Sequence, residues 1–355
     1  WEVQTAAMSA ELQPPLRSLL LLDDLALRVG RFAGLRAMSR LAASAVLCHQ
    51  GGQQQVDRLM ASLPDPCIYV LGGRGRPKGG GATDCNWQRL DLAHGSESNW
   101  ETLPCLPARS ACAAAVLAGA IYVLGGSGAG GVVLRNVDSF KPELGIWRQE
   151  PALNQGRAGC AATTASGSIY VVGGRTDLAS HELELASCER FDGSGRWEFL
   201  TPLPSACYGC AAASWRDHVY VVGGYSEWQA LSRVISLQSR AAGGSWQELP
   251  SMSVARYSCA AACVQGCLFV AGGHDGMEAL DVVEVFDPAV GDWDEVQPMQ
   301  HSRYGCGATA SADALYVIGG HNGLQPCATA EHFDLHSEDW SFLPHLNTAL
   351  YMCAV

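Results

Sequence analysis

Arginine and tyrosine recur in this chain at positions where they could recognise a ligand. An arginine stands three residues before a cysteine at Arg109, Arg157, Arg256 and Arg303. The residue after this position is a tyrosine at Tyr208, Tyr257, Tyr304 and Tyr351. Arginine binds carboxylates through paired hydrogen bonds, and both residue types are enriched among those that dominate protein interfaces. The pattern indicates recognition of an acidic group, with bracing of loops through neighbouring carbonyl groups as the alternative.

A second set of side chains follows six double glycines. It comprises Arg74, Ser127, Arg175, Tyr225, His274 and His321. The two histidines could begin a metal site, but no third carboxylate ligand accompanies them. Asp275 and Asn322 each precede a glycine, which is typical of a tight turn. We therefore expect Tyr225, His274, His321 and Asn322 to contribute to a protein-binding face, and we expect no metal, cofactor or catalytic residue.

The cysteines offer a third kind of chemistry. Six of the 15 cysteines share one register: Cys112, Cys160, Cys210, Cys259, Cys306 and Cys353. A ring of thiolate metal ligands is one explanation, but packing of small side chains between repeats is the one we favour, because strand side chains point to sheet faces. Cys207 and Cys210 form a single CxxC spacing, which is a weak zinc or redox signal without a second pair. The odd count and the lack of an Asn-x-Ser/Thr acceptor favour free thiols and a cytoplasmic or nuclear location.

All three sets follow one repeat. The double glycine recurs at steps of 53, 48, 50, 49 and 47 residues, and a tryptophan keeps the same period. The tryptophans are Trp100, Trp147, Trp197, Trp246, Trp293 and Trp340. A period of this length with strand-like content predicts a β-propeller in which each of the six repeats forms one blade.

Each repeat predicts four antiparallel strands. Apolar runs such as IYVVGG at 169 are typical of buried strands closed by glycine. A strand of small residues, such as RYSCAAA at 256, precedes this run and is expected to lie innermost, where the blades crowd together. Cys353 falls 47 residues after Cys306, and the first repeat lacks this strand. We therefore expect the C-terminal strand to complete blade 1 and close the ring.

Two loops of such a blade meet at one end. The loop after the double glycine and the loop before the small-residue strand lie at the same end of an antiparallel sheet. On a chain of net charge −12, a face that bears several arginines suggests an acidic peptide or protein loop as the ligand. Replacing Arg256 and Arg303 by glutamate is then expected to abolish binding and to leave melting nearly unchanged.

These residues resemble a known family. The order of arginine, small strand, aromatic-Val-x-Gly-Gly, Glu-x-Phe-Asp and tryptophan resembles the Kelch repeat, and GGHDGMEALDVVEVFDPAVGDW is similar to the BTB-Kelch class. The resemblance covers about residues 66 to 355 and implies an all-β, six-bladed Kelch propeller. In BTB-Kelch adaptors, substrates dock on the face described above and use the arginine and post-glycine positions. The metal-site patterns of Kelch-type enzymes, galactose oxidase and the nitrile-specifier proteins, are not matched.

Composition narrows the range of partners. The chain has 23 Lys and Arg against 35 Asp and Glu and no basic run with interleaved aromatic residues, so no nucleic acid is expected. The apolar run from Leu19 to Leu22 is far shorter than the roughly 20 residues of a spanning helix, so no membrane partner is expected either.

Residues 1 to 60 break the repeat. They are rich in Leu, Ala and Arg, and the spacing of their apolar residues predicts a helical N-terminal extension. The stretch LLLDDLALRVGRFAGLRAMSRL loosely resembles the F-box that precedes Kelch repeats in plant proteins, with Leu22 in place of the usual proline. A helical appendage without that role is the alternative, and QGGQQQ at 50 to 55 is typical of a linker.

The predicted function is a noncatalytic protein-protein interaction module. The resemblance implies substrate recognition for a ubiquitin ligase, with a cullin-based complex as a further partner. A cytoskeletal or signalling scaffold without a ligase is the alternative, and a metal-dependent Kelch-type enzyme is the third hypothesis.

Overall fold

The computed structural model describes most of the repeated part of the chain. The described residues are 67–75, 87–92, 99–104, 107–178, 183–239 and 244–355. The predicted N-terminal extension, its F-box-like stretch, the linker and the domain boundary near residue 66 lie outside these ranges. Within them, no helix has the length and apolar character needed to cross a membrane.

The described residues form 25 strands. In chain order they are β1 (Cys67–Val70), β2 (Gln88–Asp91), β3 (Glu101–Thr102), β4 (Ala113–Leu117), β5 (Ala120–Leu124), β6 (Val137–Lys141), β7 (Ile146–Glu150), β8 (Ala161–Ala165), β9 (Ser168–Val172), β10 (Cys188–Phe191), β11 (Glu198–Leu200), β12 (Ala211–Trp215), β13 (His218–Val222), β14 (Tyr225–Ser226), β15 (Gln229–Ala230), β16 (Val234–Gln238), β17 (Gln247–Leu249), β18 (Ala260–Val264), β19 (Cys267–Ala271), β20 (Val283–Asp287), β21 (Asp292–Val296), β22 (Gly307–Ala310), β23 (Ala314–Ile318), β24 (Ala330–Asp334) and β25 (Asp339–Phe342). A short 3-10 turn at Ala129–Gly131 lies between β5 and β6.

These strands form the six predicted blades. Blade 1 contains β1, β2 and β3; blades 2 and 3 contain β4 to β7 and β8 to β11. Blade 4 contains β12, β13, β16 and β17, and blades 5 and 6 contain β18 to β21 and β22 to β25. The strands β14 and β15 form a separate hairpin that the sequence did not predict. The prediction of an all-β, six-bladed propeller is confirmed.

Burial differs from strand to strand within a blade. All five residues of β9 are buried, as are four of the five in β13 and in β19. The outermost strands β7 and β21 have no buried residue. The apolar run before each double glycine is therefore continuous because blades cover both faces of that strand.

The small-residue strand is innermost, as predicted. The first strands of consecutive blades pack on one another, β4 on β8, β8 on β12, β12 on β18 and β18 on β22. At the start of β22 a side chain on Gly307 would place its Cβ 2.3 Å from Cγ2 of Val355. Close approach of the blades at the axis therefore requires small residues here.

Steric contacts also explain why both residues of the double glycine lack a side chain. Gly272 has a φ of 62°, and a Cβ there would lie 2.4 Å from the carbonyl oxygen of Arg303 in the next blade. Gly273 has a φ of 103°, and its Cβ would lie 3.0 Å from Cβ of Cys259. Both the left-handed backbone and the close contact exclude a side chain.

The tryptophans join neighbouring blades. Each indole nitrogen donates a hydrogen bond to a backbone carbonyl of the preceding blade. The acceptors and distances are Pro344 at 2.8 Å for Trp100, Pro104 at 2.8 Å for Trp147, Pro151 at 2.9 Å for Trp197, Thr201 at 3.1 Å for Trp246, Pro250 at 2.8 Å for Trp293 and Gln297 at 2.7 Å for Trp340. Since Trp100 of blade 1 reaches blade 6, these bonds form a closed ring.

A second ring lies near the axis and consists of backbone alone. Six residues that precede the register cysteines donate N–H to the carbonyl of their counterpart in the previous blade, at 2.6 to 2.9 Å. They are Ala111, Gly159, Gly209, Ser258, Gly305 and Met352. All six have φ between 50° and 63°. The left-handed conformation is thus a shared requirement of the ring, even where the residue is not glycine.

The C-terminus closes the propeller, as predicted. Leu71 N donates to Ala354 O at 2.9 Å, and Ala354 N donates to Leu71 O at 3.0 Å. Arg74 and Tyr351 form a second antiparallel bridge. Residues 351–355 therefore supply the inner edge that blade 1 lacks.

Candidate protein-binding face

The segment after each double glycine, the glycine loop, pairs with the segment that enters the first strand of the same blade. Tyr257 N donates to His274 O at 3.0 Å, and His274 N donates to Tyr257 O at 2.9 Å. The equivalent pairs are Tyr351 with Arg74, Ser110 with Ser127, Ala158 with Arg175, Tyr208 with Tyr225, and Tyr304 with His321. We call the end of the propeller that bears these pairs the upper face.

Seven rings on the upper face form one continuous row, the aromatic arc. The distances between ring centroids are 5.5 Å for Tyr208 and Tyr225, 5.0 Å for Tyr225 and Tyr257, 5.4 Å for Tyr257 and His274, 5.2 Å for His274 and Tyr304, 5.3 Å for Tyr304 and His321, and 5.3 Å for His321 and Tyr351. These are the distances of favourable ring pairs. The structure therefore brings together all four predicted tyrosines, Tyr225 and both predicted histidines.

The arc is interrupted at blades 2 and 3. Ser110, Ser127 and Ala158 occupy the equivalent positions there. Arg74 stands on one side of this gap and donates from Nε to Oγ of Ser110 at 3.0 Å. Arg175 stands on the other, with its guanidinium carbon 4.4 Å from the centroid of the Tyr208 ring. Small side chains therefore occupy the gap, and a positively charged side chain lies on each side of it.

The polar atoms of the arc are partly engaged by the backbone. Nδ1 of His274 and of His321 each accepts a hydrogen bond from the glycine two residues later, at 3.0 Å. Asn322 Oδ1 accepts from the backbone nitrogens of Leu324 and Gln325 at 3.0 and 2.8 Å. These bonds fix the turns that hold the histidines. Among the described residues, no group of three or more His, Cys, Asp and Glu side chains is placed to hold a metal ion.

Partial burial acts on the tyrosines of the arc. It raises the pKa of the hydroxyl groups of Tyr208, Tyr257 and Tyr304 above the ordinary value. These hydroxyl groups are therefore protonated at neutral pH and can donate hydrogen bonds.

The prediction that the four arginines face a ligand is wrong. Arg157, Arg256 and Arg303 are 0 % exposed and Arg109 is 6 % exposed. Each forms an ion pair with a carboxylate of its own blade: Arg109 with Asp138, Arg157 with Glu189, Arg256 with Glu284, and Arg303 with Glu331. We call these four residues the arginine layer. They brace the blades, which was the alternative explanation.

The contacts of Arg256 show how completely such a side chain is used. Its Nη1 donates to the carbonyl oxygens of Gly272 and Val282 at 3.0 and 2.9 Å, and its Nη2 pairs with Glu284. Glu284 also accepts from the backbone nitrogen of Ser253 at 2.6 Å. Moving this guanidinium group out to a ligand would break these hydrogen bonds and leave the carboxylate of Glu284 buried without its partner, which is strongly unfavourable.

Two blades lack the arginine, and they lack the carboxylate as well. In blade 4, Cys207 replaces the arginine. The carboxylate position of blade 5 is held by Glu284, which lies opposite Val270. The equivalent residue of blade 4 is Ile235, which lies opposite Val221. In blade 1 the two positions hold Leu350 and Gln88, the latter opposite Val70. Because the two members change together, the arginine belongs to an internal pair.

The register cysteines are buried beneath the upper face. Burial raises the pKa of Cys112 and Cys259 to about 11, and that of Cys160, Cys306 and Cys353 to about 12. The hydrogen bond between Cys207 and Cys210 lowers the pKa of the first thiol and raises that of the second. The described cysteines form no disulfide.

Several surface residues were missed by sequence reasoning. Trp228, Met277 and Leu324 occupy one position of consecutive glycine loops and are 72 %, 93 % and 87 % exposed. Comparing the loops GGYSEWQAL, GGHDGMEAL and GGHNGLQPC would have revealed this apolar column. Arg74 and Arg175, which the sequence does show after double glycines, replace the arginine layer as the charged side chains of the upper face.

Comparisons with known proteins agree with the architecture. The profile of the KLHDC2/KLHL20/DRC7 Kelch-repeats domain matches residues 159–349, more than half of the chain, and the Kelch motif matches residues 108–154. No curated protein matches the chain. The solved structure titled "Structure of YjhT" is similar in fold, with a TM-score of 0.64 and 18 % identity over 79 % of this chain and 99 % of that one. Six blades of the predicted kind and a family profile that spans most of them establish that this chain belongs to the Kelch-repeat family.

Proposed function

We propose that this chain binds a protein partner through its upper face and acts as a substrate-recognition subunit of a ubiquitin ligase. A Kelch propeller fits a protein-interaction module. The observation that carries the proposal is the aromatic arc. Seven half-buried rings in contact offer a rigid surface that has both apolar area and hydrogen-bonding tips, at a low cost in conformational entropy.

The gap in the arc suggests the charge of the partner. Arg74 is exposed and Arg175 is half-buried, so both can reach a bound group. Ser127 is 3 % exposed, and its Oγ has no hydrogen-bond partner. Two guanidinium groups and a serine hydroxyl suit a carboxylate, so the proposed ligand is a loop or peptide with an acidic side chain at the gap and apolar side chains along the arc.

Affinity purification with quantitative mass spectrometry tests this proposal. The full chain is compared with a charge variant, Arg74→Ala with Arg175→Ala, and with an arc variant, Tyr257→Ala with His321→Ala. Arg148→Ala is the matched control, because Arg148 is exposed on the outermost strand of blade 2. We expect one group of partners to be lost with both variants and retained by the control.

The ligase is a separate outcome of the same measurement. Co-purification of a cullin complex with all variants supports substrate recognition for a ligase. Arc-dependent partners without a cullin indicate a cytoskeletal or signalling scaffold instead. Partners that are insensitive to every substitution on the upper face would contradict the proposal as a whole.

A further inference from the structure

Blade 4 differs from the other blades in having two cysteines where its first strand begins. Its register cysteine, Cys210, follows Cys207 by three residues. In the other five blades an arginine or a leucine holds the earlier position: Arg109, Arg157, Arg256, Arg303 and Leu350. The register sulfur lies close to that earlier residue in blade 6, where Cys306 Sγ donates to the carbonyl oxygen of Arg303 at 4.0 Å. A cysteine at the earlier position therefore brings a second thiol near the first.

The two thiols of blade 4 are hydrogen-bonded to each other. Cys210 donates to the sulfur of Cys207. A side chain on Gly224 would place its Cβ 3.2 Å from Cβ of Cys210 and 3.4 Å from Cβ of Cys207, so both cysteine side chains begin beside the same point of the glycine loop. Two cysteines in such proximity can form a disulfide with a small movement of their sulfur atoms.

A guanidinium group supports the charged form of one thiol. Nη2 of Arg233 donates to Sγ of Cys207 at 3.8 Å. The pKa of Cys207 is lowered, chiefly by the hydrogen bond from Cys210 and also by the charge of Arg233, although burial and the carboxylate of Glu184 act in the opposite direction. Burial instead raises the pKa of Cys259 in blade 5 to about 11. Since the thiolate is the nucleophile, Cys207 is the reactive member of the pair.

The thiol of Cys207 is separated from a surface cavity by one side chain. The cavity measures about 300 Å³, and its lining includes Ser205 and Ala206, the two residues before Cys207. Nη1 of Arg233 donates to Oγ of Ser205 in the cavity wall, and Nη2 of the same group reaches the sulfur. Cys207 itself is 0 % exposed. Access past the half-buried Arg233 therefore favours a small oxidant such as a hydroperoxide over a bulky disulfide.

We propose that Cys207 and Cys210 form a reversible disulfide in response to a hydroperoxide, and that this bond alters the upper face through Tyr208. The thiolate of Cys207 attacks one peroxide oxygen, a sulfur–oxygen bond forms as the oxygen–oxygen bond breaks, and the leaving oxygen takes a proton. The sulfur of Cys210 then attacks that of Cys207, and the hydroxyl group leaves with the proton of Cys210 as water. Two electrons thus pass from the thiols to the peroxide, and a dithiol reductant reverses the change.

The residues between the two cysteines connect the disulfide to the upper face. Gly209 is held on both sides at the axis, because its nitrogen donates to Gly159 O at 2.7 Å and its oxygen accepts from Ser258 N at 2.6 Å. Tyr208 begins the aromatic arc, with its ring centroid 5.5 Å from that of Tyr225. We therefore expect closure of the disulfide to move Tyr208 rather than Gly209. The disulfide chemistry is independent of the proposed function, whereas its effect on binding rests on that function.

Peptide mass spectrometry of the full, reduced chain tests the chemistry. Trypsin cleavage after Arg196 and Arg216 gives one peptide that contains Cys207 and Cys210 and no other cysteine. The folded protein is treated with hydrogen peroxide, the remaining thiols are blocked in denaturant, and the loss of two hydrogens from this peptide reports the disulfide. We expect the disulfide to form before Cys259, the internal control in blade 5, is oxidised, and to disappear with dithiothreitol.

Three variants assign the roles of the residues. Cys210→Ser should leave a sulfenic acid on Cys207 that dimedone captures, whereas Cys207→Ser should leave Cys210 unmodified. Arg233→Gln should slow the oxidation about tenfold, because an opposite charge at this distance changes the proportion of thiolate by about that factor. Arg148→Gln on the outermost strand of blade 2 is the matched control and should not slow it. Thermal unfolding of each variant confirms that it is folded.

Affinity purification with oxidised and with reduced protein tests the effect on the upper face. The relevant partners are those lost with the arc variant, Tyr257→Ala with His321→Ala. We expect oxidation of the wild-type chain to reduce their recovery, because Tyr208 leaves its place in the arc. Peroxide treatment of Cys207→Ser is the control and should leave their recovery unchanged.

The outcomes separate the disulfide from the proposed function. Oxidation of Cys207 and Cys259 at the same rate, or a disulfide that forms only in unfolded protein, overturns the inference. A disulfide that forms while recovery of the arc-dependent partners is unchanged overturns the effect on Tyr208 and leaves the thiol chemistry standing. If no partner depends on the arc in either state, the proposed function is lost together with the effect on binding, and the peptide masses still decide the disulfide.

Discussion

Arg303 and Tyr304 are neighbours in the chain and belong to different parts of the molecule. Arg303 has no exposed surface and pairs with Glu331, whereas Tyr304 lies half-buried on the upper face between His274 and His321. Arg256 and Tyr257 show the same contrast one blade earlier. Recurrence of a residue at one position of several repeats therefore shows that its environment recurs, and it does not show whether that environment is the interior or the surface.

The largest expected effect comes from reversing a charge in the arginine layer. Arg303→Glu would place two carboxylates in a buried site and remove the hydrogen bonds to the carbonyls of Gly319 and Thr329. We expect the free energy of unfolding to fall by about 3 to 5 kcal/mol, which is typical of a broken buried pair. Urea denaturation measures this loss, and Arg148→Glu on the surface serves as the control. An unchanged midpoint together with lost binding would restore the original assignment of these arginines to the ligand.

The next effect tests the pairing itself. Arg256→Leu and Glu284→Gln each leave an unpaired buried group, whereas the double variant copies the Leu350 and Gln88 combination of blade 1. We expect the double variant to recover about 2 kcal/mol relative to the sum of the single losses. A double-mutant cycle in urea gives this coupling energy. A value near zero would mean that the two side chains act independently.

A smaller loss of stability is expected on the upper face. Tyr304→Ala removes ring contacts with His274 and His321 and should lower the free energy of unfolding by about 1 kcal/mol. The same variant should lose the partners that depend on the arc. Denaturation and affinity purification of one preparation measure both effects. A loss of stability as large as that of Arg303→Glu would show that the arc is part of the core.

The smallest effect is expected at Cys306, the register cysteine three residues after Arg303. Cys306 is 7 % exposed, and burial raises the pKa of its thiol to about 12. Since only the thiolate reacts, iodoacetamide at pH 8 should leave Cys306 unmodified in the folded protein and modify it after unfolding. Mass spectrometry of the peptides reports this difference. Rapid modification in the folded state would indicate that blades 5 and 6 open at the axis.

The same pKa fixes the sign of a pH dependence. The folded-state pKa of about 12 lies above the unfolded thiol value of about 8.5, so the fold favours the protonated form. This contribution to stability is present below about pH 8.5 and is lost as the pH rises toward 12. The urea concentration at the unfolding midpoint should therefore decrease as the pH is raised from 8 to about 10, and Cys306→Ala should make this decrease smaller.

Sequence patterns were sufficient for the strands and for closure of the ring. The apolar run before each double glycine, the small residues of β18 and β22, and the spacing of Cys306 and Cys353 each report a local or nearest-neighbour constraint. Such constraints recur with the repeat, and for that reason comparison of six copies within one chain reveals them. The same comparison indicated the residues of the arc, because they occupy two recurring positions: Tyr225, His274 and His321 directly follow a double glycine, and the four tyrosines Tyr208, Tyr257, Tyr304 and Tyr351 lie two residues before a register cysteine.

Side-chain direction was decided by the tertiary structure. The carboxylate that pairs with Arg303 lies 28 residues later, and its proximity follows only from the register of β23 and β24. The continuity of the arc requires contacts between blades, as between Tyr225 and Tyr257. The exposed Trp228 and its strained turn, in which Trp228 has a φ of 67°, depend on the backbone angles of one loop. The partner glutamates Glu189, Glu284 and Glu331 do recur, as the first residue of the Glu-x-Phe-Asp motif. Their recurrence does not show that they face the arginines, and the contacts between blades and the strained turn are not periodic, so these relations depend on the fold.

The sequence by itself therefore determined the number of blades, the order of their strands and the manner of closure, because these follow from periodicity and from the size of side chains at the axis. Only the tertiary structure decided which polar residues are internal and which reach a ligand. A buried charge needs a partner that the fold brings from a distant part of the chain, and an exposed one is defined by what the fold leaves uncovered.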